Sequence, residues 1–432
     1  MRQVKSYARC GLLVAAAALL LALAPAARAQ STSNAAIDWN AIAASAAAGQ
    51  PAHVQPLTLA IVQGAVYDAV NAIDGGHRPY IAAPAADPSD SKPAAAATAA
   101  YRTLVGIFPT QQATLQPLYA ASLAGVPDGP AKTAGVEVGE ASAATMLATR
   151  ANDGRGGPFT FVFGTAPGVW RPTPPSFGLD PAAWVGNVRP FLVPNAQSLR
   201  TDGPNALTSQ AYADDLNEVK RLGSLTSTHR TADQTQAAIF WQDSGPAIWN
   251  RVFRALAANR GLDIVDSARM LAMTNLAAAD GSIGCWNDKY YWNFWRPITA
   301  IREAAADGNP ATTADPTWLP LFDPTVPVSG PALVTPGFPD HPAGHGCISG
   351  ATVHALKAFF GTDKVPFTAH SNKCSPAPCP PRSYDRLSLA LKEIIDARVW
   401  SGIHFRTADV QGAVLGKKVA HQLRKHYFQP LD

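Results

Sequence analysis

The sequence predicts an all-α fold, a helix bundle or a pair of bundles joined by long Pro/Gly-rich loops. Three observations predict it. Apolar residues recur at helical spacing through most of the region 55–430. Strand signals are scarce, and no internal repeat is visible. The 37 prolines punctuate an Ala-rich chain, marking loops between periodic stretches. With 47% hydrophobic residues among 432 and only 15% charged, the chain is long and apolar enough to build a sizeable core.

The elements follow in order. Residues 1–29 read as a secretory leader: Arg2, Lys5 and Arg9 precede the apolar run "GLLVAAAALLLALA", and "ARA" before Gln30 is a small-residue cleavage site. The expected location is therefore the periplasm or the medium. Residues 30–54 are weakly patterned and read as an N-terminal linker, with the helical domain beginning at 55. Helical spacing marks 56–73, closed by "DGGHRPY", then 92–107, 110–124 and 131–151. The stretch 153–206 has no sustained period and reads as a long irregular connection, a length that implies a task or mobility. Helical signal returns at 208–222 and dominates 231–306. A Pro-rich loop covers 307–344, and helices are expected at 345–361, 383–400 and 405–427. The domain thus divides into N-terminal helices (55–225) and a second set (231–428).

Charge and cysteines exclude some classes. The leader holds four of the 35 basic residues and none of the 31 acidic ones, so the remainder is balanced. Nothing resembles a nucleic-acid footprint, and no later stretch reads as a bilayer span. Export permits disulfides, and "CSPAPC" suggests a Cys374–Cys379 bridge within one loop. No Cys/His spacing matches a zinc site.

Three stretches carry chemistry. In "KYYWNFWRP", Lys289 and Arg296 are seven apart, which on one helix directs both the same way beside apolar rings. In "FPDHPAGHGCISG", a Pro342-Ala343-Gly344 turn places His345 at a helix start, where unpaired N–H groups favour an anion. Gly344 lets a ligand approach the backbone closely, and a histidine there can exchange protons with a bound oxyanion. In "ARVWSGIHFR", Ser401-Gly402 breaks the helix, so that Arg398 ends one helix and His404 opens the next. Each stretch alone is also compatible with ordinary surface or capping residues.

Together, Lys-x6-Arg-Pro, Pro-x-Gly-His and Arg-x5-His in that order resemble the signature shared by the vanadium-dependent haloperoxidases and the type 2 phosphatidic acid phosphatases. "AIVQGAVYDAVNAIDGGHRPY" and "FWQDSGPAIWNRVFRAL" also look like secreted bacterial haloperoxidase-like proteins. That superfamily is all-α. The resemblance implies that Lys289, Arg296 and Arg398 neutralise the oxygens of vanadate or phosphate, that Gly344 donates its N–H, and that His345 is the acid/base. It implies that His404 binds vanadium or, in a phosphatase, attacks phosphorus. Trp286 and Phe338 match aromatic positions lining a halide pocket, and His341 is placed at its entrance.

Three departures stand out. Ala343 replaces the usual serine and removes a hydroxyl, an interaction on the order of 1.5–3 kcal/mol for a charged acceptor. Ala397 stands where a serine usually precedes the arginine. The phosphatase carboxylate, four after the second histidine, falls on Ala408, with Asp409 one further.

The expected activity is oxidation of halide by hydrogen peroxide with vanadate as cofactor, His404 as ligand, Lys289 polarising the peroxide, and a small organic acceptor. The alternatives are an exported acid phosphatase acting on a phosphate ester through a phosphohistidine, and a non-catalytic phosphate or vanadate binder. Cys285 and Cys347 flank Lys289 and His345, which allows a disulfide between the two site helices. His53, His77, His229, His370, His421 and His426 read as surface or structural, and His354 as packing.

Overall fold

The computed structural model describes residues 34–431. The leader at 1–29 lies outside the described residues. The segment expected as a linker is in fact helical. Asn34 accepts the N–H groups of Ala36 and Ile37 and caps α1 (Ala35–Ala46). Trp39 on this helix is fully buried. An Ala-rich stretch with few large residues gives little periodic signal, and tertiary packing stabilises the helix.

Helix α2 (Gln55–Asp74) is buried at nearly every position and stops at Gly75, which takes a left-handed φ of 73°. By length and composition it could cross a membrane, against the expectation that no later stretch could. It is buried on all sides as a core helix, which requires the same apolar composition. Helices α3 (Lys92–Ile107), α4 (Gln112–Ala124) and α5 (Pro130–Thr149) complete the first group, with α3 packed on α2 and α5.

The irregular stretch 153–206 contains only two short 3-10 turns. Buried backbone donors must find acceptors, and two carboxylates on a later helix supply them. Asp280 accepts the N–H groups of Phe191, Leu192 and Val193 at 2.6, 2.7 and 3.0 Å. Asp288 accepts from the Thr201 backbone and hydroxyl and from the Arg200 guanidinium. The stretch is thereby pinned across the middle of the molecule.

Helices α6 (Gln210–Leu222), α7 (Ala232–Phe240), α8 (Gly245–Asn259), α9 (Ile264–Trp292) and α10 (Pro297–Arg302) follow. After the Pro-rich loop come α11 (Gly344–Phe360), the strands β1 (Phe367–Ala369) and β2 (Arg382–Tyr384), α12 (Leu387–Trp400) and α13 (Arg406–His426). The antiparallel hairpin, with Phe367 opposite Tyr384, was not expected. Three-residue strands are too short to register as alternation. The Cys374–Cys379 disulfide closes the loop between them, as expected.

The 29-residue α9, roughly 43 Å long at 1.5 Å per residue, packs on α2, α11 and α13. One apolar core runs from Ala35 to Phe428, so the two helix sets share a single interior. Helices α11 and α13 cross at small residues. A Cβ on Gly350 would lie 2.8 Å from the Ala413 Cα, and one on Gly412 would lie 2.8 Å from the Ala343 oxygen. This close crossing holds the start of α11 against the start of α13.

Candidate active site

Lys289 and Arg296 do not share one helix. Helix α9 ends at Trp292, and Asn293 caps it in a left-handed conformation (φ 47°), its N–H donating to the Lys289 carbonyl. Pro297 disfavours helical backbone at the residue before it, and Arg296 is extended (φ −84°, ψ 155°) as the N-cap of α10. A helix break brings the two cations together, where the seven-residue spacing had suggested one helical face.

Both cations are fully buried. Lys289 donates to the carbonyls of Pro339 (2.9 Å), Asp340 (3.0 Å) and Pro342. A buried ammonium requires such partners, and burial pulls Lys289 down to about 8 against the weaker pull of its neighbours. Arg296 donates through Nε to the Phe338 carbonyl (2.7 Å) and through Nη1 to that of Ile403 (2.8 Å), while its Nη2 has no partner among the described residues. Neither side chain lines the main cavity. The Phe338 ring does, and lies 5.0 Å from the Lys289 ammonium and 4.8 Å from the Arg296 guanidinium.

Helix α11 begins at Gly344. Ala343, its N-cap, offers no side-chain hydrogen bond. A Cβ at Gly344 would lie 3.2 Å from the Trp286 indole, so glycine eases a tight approach. His345 is half-buried and hydrogen-bonded to the Trp241 backbone. Its Nε2 has no partner among the described residues. Burial, then the Arg398 charge, pulls this histidine well below its ordinary range, so the ring is neutral.

Helix α12 ends at Trp400, and Gly402 turns the chain with a φ of 77°. Arg398, in the last turn, is held by the Gln242 carboxamide oxygen at 3.3 Å (Nη1) and 3.2 Å (Nη2), and its buried Nε is unpaired. His404 lies in the connector, two residues before α13 begins at Arg406. Its Nδ1 sits 2.7 Å from Asp340 Oδ1. Arg296 Nη1 lies 3.4 and 3.2 Å from the two ring nitrogens, so it cannot be aligned with both. Burial, then Arg296 and the other cations, keeps His404 neutral. A neutral ring with Nδ1–H donated to a carboxylate presents Nε2 as the ligand atom. Burial raises Asp340 to about 7, against the pull of Arg296 and Lys289.

These groups surround a cavity of about 240 Å³. His345, Arg398, His404, Gly344, Trp286 and Phe338 line it, as do His53, Gln242 and Ser244. His341 does not. It is 1% exposed and turned to the Thr201 hydroxyl (3.1 Å), away from the entrance expected for it. A buried imidazole needs a hydrogen-bond partner, and the pinned 153–206 stretch supplies one. Cys285 and Cys347 come together as two buried free thiols rather than a disulfide. Asp409 is buried near Arg398 with neither carboxyl oxygen paired, and burial pushes it well up.

Sequence reasoning missed Asp340, Gln242, His53 and Asp180. Asp340 was visible as the one acid in the His345 motif, five residues before it. The others come from distant segments and carry no local signal.

The arrangement is a cluster of buried cations and histidines assembled from the ends of four helices. Residues 269–432 match the family described as the VCPO second helical-bundle domain. The vanadium chloroperoxidase of Curvularia inaequalis is 29% identical over 175 residues, which cover 36% of this chain and 28% of that protein. The chain thus spans under a third of that relative's length. A crystal structure of a bacterial vanadium-dependent iodoperoxidase superposes with a TM-score of 0.74 at 23% identity, covering 92% of this chain and 97% of that one. A holo bacterial vanadium-dependent chloroperoxidase gives 0.67 at 16% identity, covering 88% and 93%. The chain shares the fold of these vanadium-dependent haloperoxidases along most of its length, and the family match lies in its second helix set.

Proposed function

We propose that this chain is a vanadium-dependent haloperoxidase that uses hydrogen peroxide to oxidise halide. The observation that carries the proposal is a set of buried donors without acceptors. Arg296 Nη2 and Arg398 Nε are unpaired among the described residues, and the uncapped start of α11 adds backbone N–H groups. Leaving such groups unpaired costs about 1–3 kcal/mol each, more when charged, and an oxyanion satisfies them together.

The residues fit vanadate. His404 Nε2 would be its protein ligand, Arg398, Arg296 and the Gly344 N–H its oxygen partners, and Lys289 a charge close behind. Bound vanadate would supply a Lewis acid that activates peroxide toward halide without changing its own oxidation state. Asp340 holds the His404 tautomer. His345, neutral and next to the cradle, accepts a proton when an acidic oxygen arrives, because the anion's charge reverses the penalty now keeping the ring neutral. Lys289, already held by three carbonyls, lends its charge through the low-dielectric interior.

A phosphatase remains the second reading because of the same dyad. Asp340 supplies from α11's leading loop the carboxylate that position 408 lacks, and a carboxylate behind His404 suits a nucleophilic histidine. Bromide oxidation by peroxide on metal-stripped protein, titrated with orthovanadate, separates the two. Saturable activity rising with vanadate supports the peroxidase. No bromide oxidation, with phosphate-ester hydrolysis that vanadate inhibits, supports the phosphatase. Tight phosphate binding with neither activity identifies a silent binder.

We also propose that the chain is exported and cut after Ala29. The buried disulfide partner Cys379 and the closed Cys374–Cys379 loop suit an oxidising compartment. N-terminal sequencing of the mature protein should begin at Gln30.

A further inference from the structure

The cavity has a second histidine–carboxylate pair on the wall contributed by the N-terminal half. His53, between α1 and α2, is 7% exposed and lines the cavity. Its ring lies flat on Trp286, with centroids 4.0 Å apart and planes 10° apart. The Phe338 ring stands edge-on to it at 6.2 Å. The Ser282 hydroxyl donates to the His53 carbonyl at 2.7 Å and fixes its backbone. His53 Nε2 is 3.2 Å from Asp180 Oδ1, an ion-pair separation short of a linear hydrogen bond. Asp180 is itself held by the Trp286 Nε1–H at 2.6 Å and the Ala182 N–H at 2.9 Å. Burial pushes this carboxyl up, but the donors from His53, Trp286 and Ala182 outweigh it and leave it below the ordinary range. His53 and Asp180 lie outside the matched segment 269–432, whereas Trp286, Phe338 and Ser282 lie within it.

The Asp180 carboxylate facing Nε2 favours the tautomer that keeps its N–H on that side, which leaves Nδ1 as the acceptor atom. Nδ1 has no partner among the described residues. The pocket body between the two polar ends is apolar, formed by Trp286, Phe338, Ile348, Pro246 and Ala52. Its volume, about 240 Å³, is below the roughly 300–1,000 Å³ of sites for drug-sized ligands. It suits one aromatic ring.

We propose that His53, oriented by Asp180, is the acceptor-binding residue of this cavity: it takes a hydrogen bond from the hydroxyl of a one-ring phenol, whose ring packs on Trp286 and Phe338 and points toward the anion cradle. The proposal deepens the haloperoxidase reading, since a phenol is the electron-rich organic acceptor that oxidised halide would attack, but its binding step does not depend on vanadate.

The test compares phenol with its methyl ether, anisole, which keeps the ring and loses the donor. Dissociation constants are measured by the quenching of tryptophan fluorescence on metal-free, mature protein. Phenol should bind at least tenfold more tightly than anisole. His53→Phe, which keeps the stack on Trp286, should bring that ratio to about one. Asp180→Asn should lower the ratio as well, through loss of the tautomer, and it keeps the proposal testable if His53→Phe does not fold. Equal affinities for phenol and anisole in the wild type, or an unchanged ratio in a folded His53→Phe, would overturn it. A vanadate titration on the same sample with bromide and peroxide is read separately. Phenol selectivity without bromide oxidation removes the haloperoxidase reading and leaves the binding site standing.

Discussion

At Asp340, one carboxylate sits beside two buried cations, Arg296 and Lys289, and is hydrogen-bonded to one imidazole. Its 2.7 Å contact to His404 Nδ1 makes it a positioning residue for Nε2. Partners behind a ligand histidine are worth about 10–100-fold in metal affinity, so Asp340→Asn should weaken orthovanadate by that order. His404→Ala should remove saturable vanadate dependence altogether, and equal vanadate affinity in wild type and His404→Ala would refute the ligand assignment. Ala343→Ser restores a hydroxyl at an uncapped helix start, and a hydrogen bond to a charged acceptor predicts about tenfold tighter vanadate binding. The same titration reads all three.

His341 gives a pH prediction at the same scale. Burial pulls it from its usual 6.5 down to about 3, so between these values the native protein binds fewer protons than the unfolded chain. Its contribution to stability is therefore present above pH 6.5 and is lost as pH falls toward 3. His341→Gln keeps a partner for Thr201 and removes the titration. It should destabilise at pH 7.5, with the deficit shrinking at lower pH by at most about 1.4 kcal/mol per unit. Urea midpoints at pH 7.5 and 5.5 check this, and a pH-independent deficit would refute it.

At the scale of elements, the site depends on how closely α11 and α13 approach. Gly346, Gly350, Gly412 and Gly416 line the crossing, and each lacks room for a Cβ against backbone of the other helix. At Gly416 the obstructing atoms are the Ala351 nitrogen and Cys347 carbonyl, which cannot rotate away. Gly416→Ala should cost about 1–3 kcal/mol as an overpacked core and should move His345 relative to His404. Thermal unfolding measures the cost. Gly49→Ala, where a Cβ meets nothing within 4 Å, is the neutral control at within about 0.5 kcal/mol.

Across the whole molecule, the long 153–206 stretch ties the two helix sets together. Asp280 and Asp288 on α9 hold it, and it delivers Asp180 to Trp286 and His53 and Thr201 to His341. The task implied by its length is to brace the residues around the site from behind. The thiols also read at this scale. Cys285 and Cys347 are buried and unbridged, so unreduced mature protein should show no reactive thiol when native and two when denatured. Finding none after denaturation would mean that the two are bridged.

The helices from 92–107 to 405–427 were legible in the sequence because an amphipathic or buried helix must repeat its apolar residues at its own period. The three stretches holding Lys289, Arg296, His345, Arg398 and His404 could be picked out because their spacing is local to each stretch, and the fold brings them to one region. Other features were decided only by the fold. An Ala-rich stretch became α1 because its neighbours bury Trp39. The break at Asn293 and Pro297, not a shared helical face, brought Lys289 and Arg296 together. Asp340, Gln242 and the His53–Asp180 pair entered the site from segments up to hundreds of residues away. Local spacing records what one element does with its own residues. The partners of a buried charge are chosen by which segments the core brings within hydrogen-bond reach, and that is a property of the packed chain.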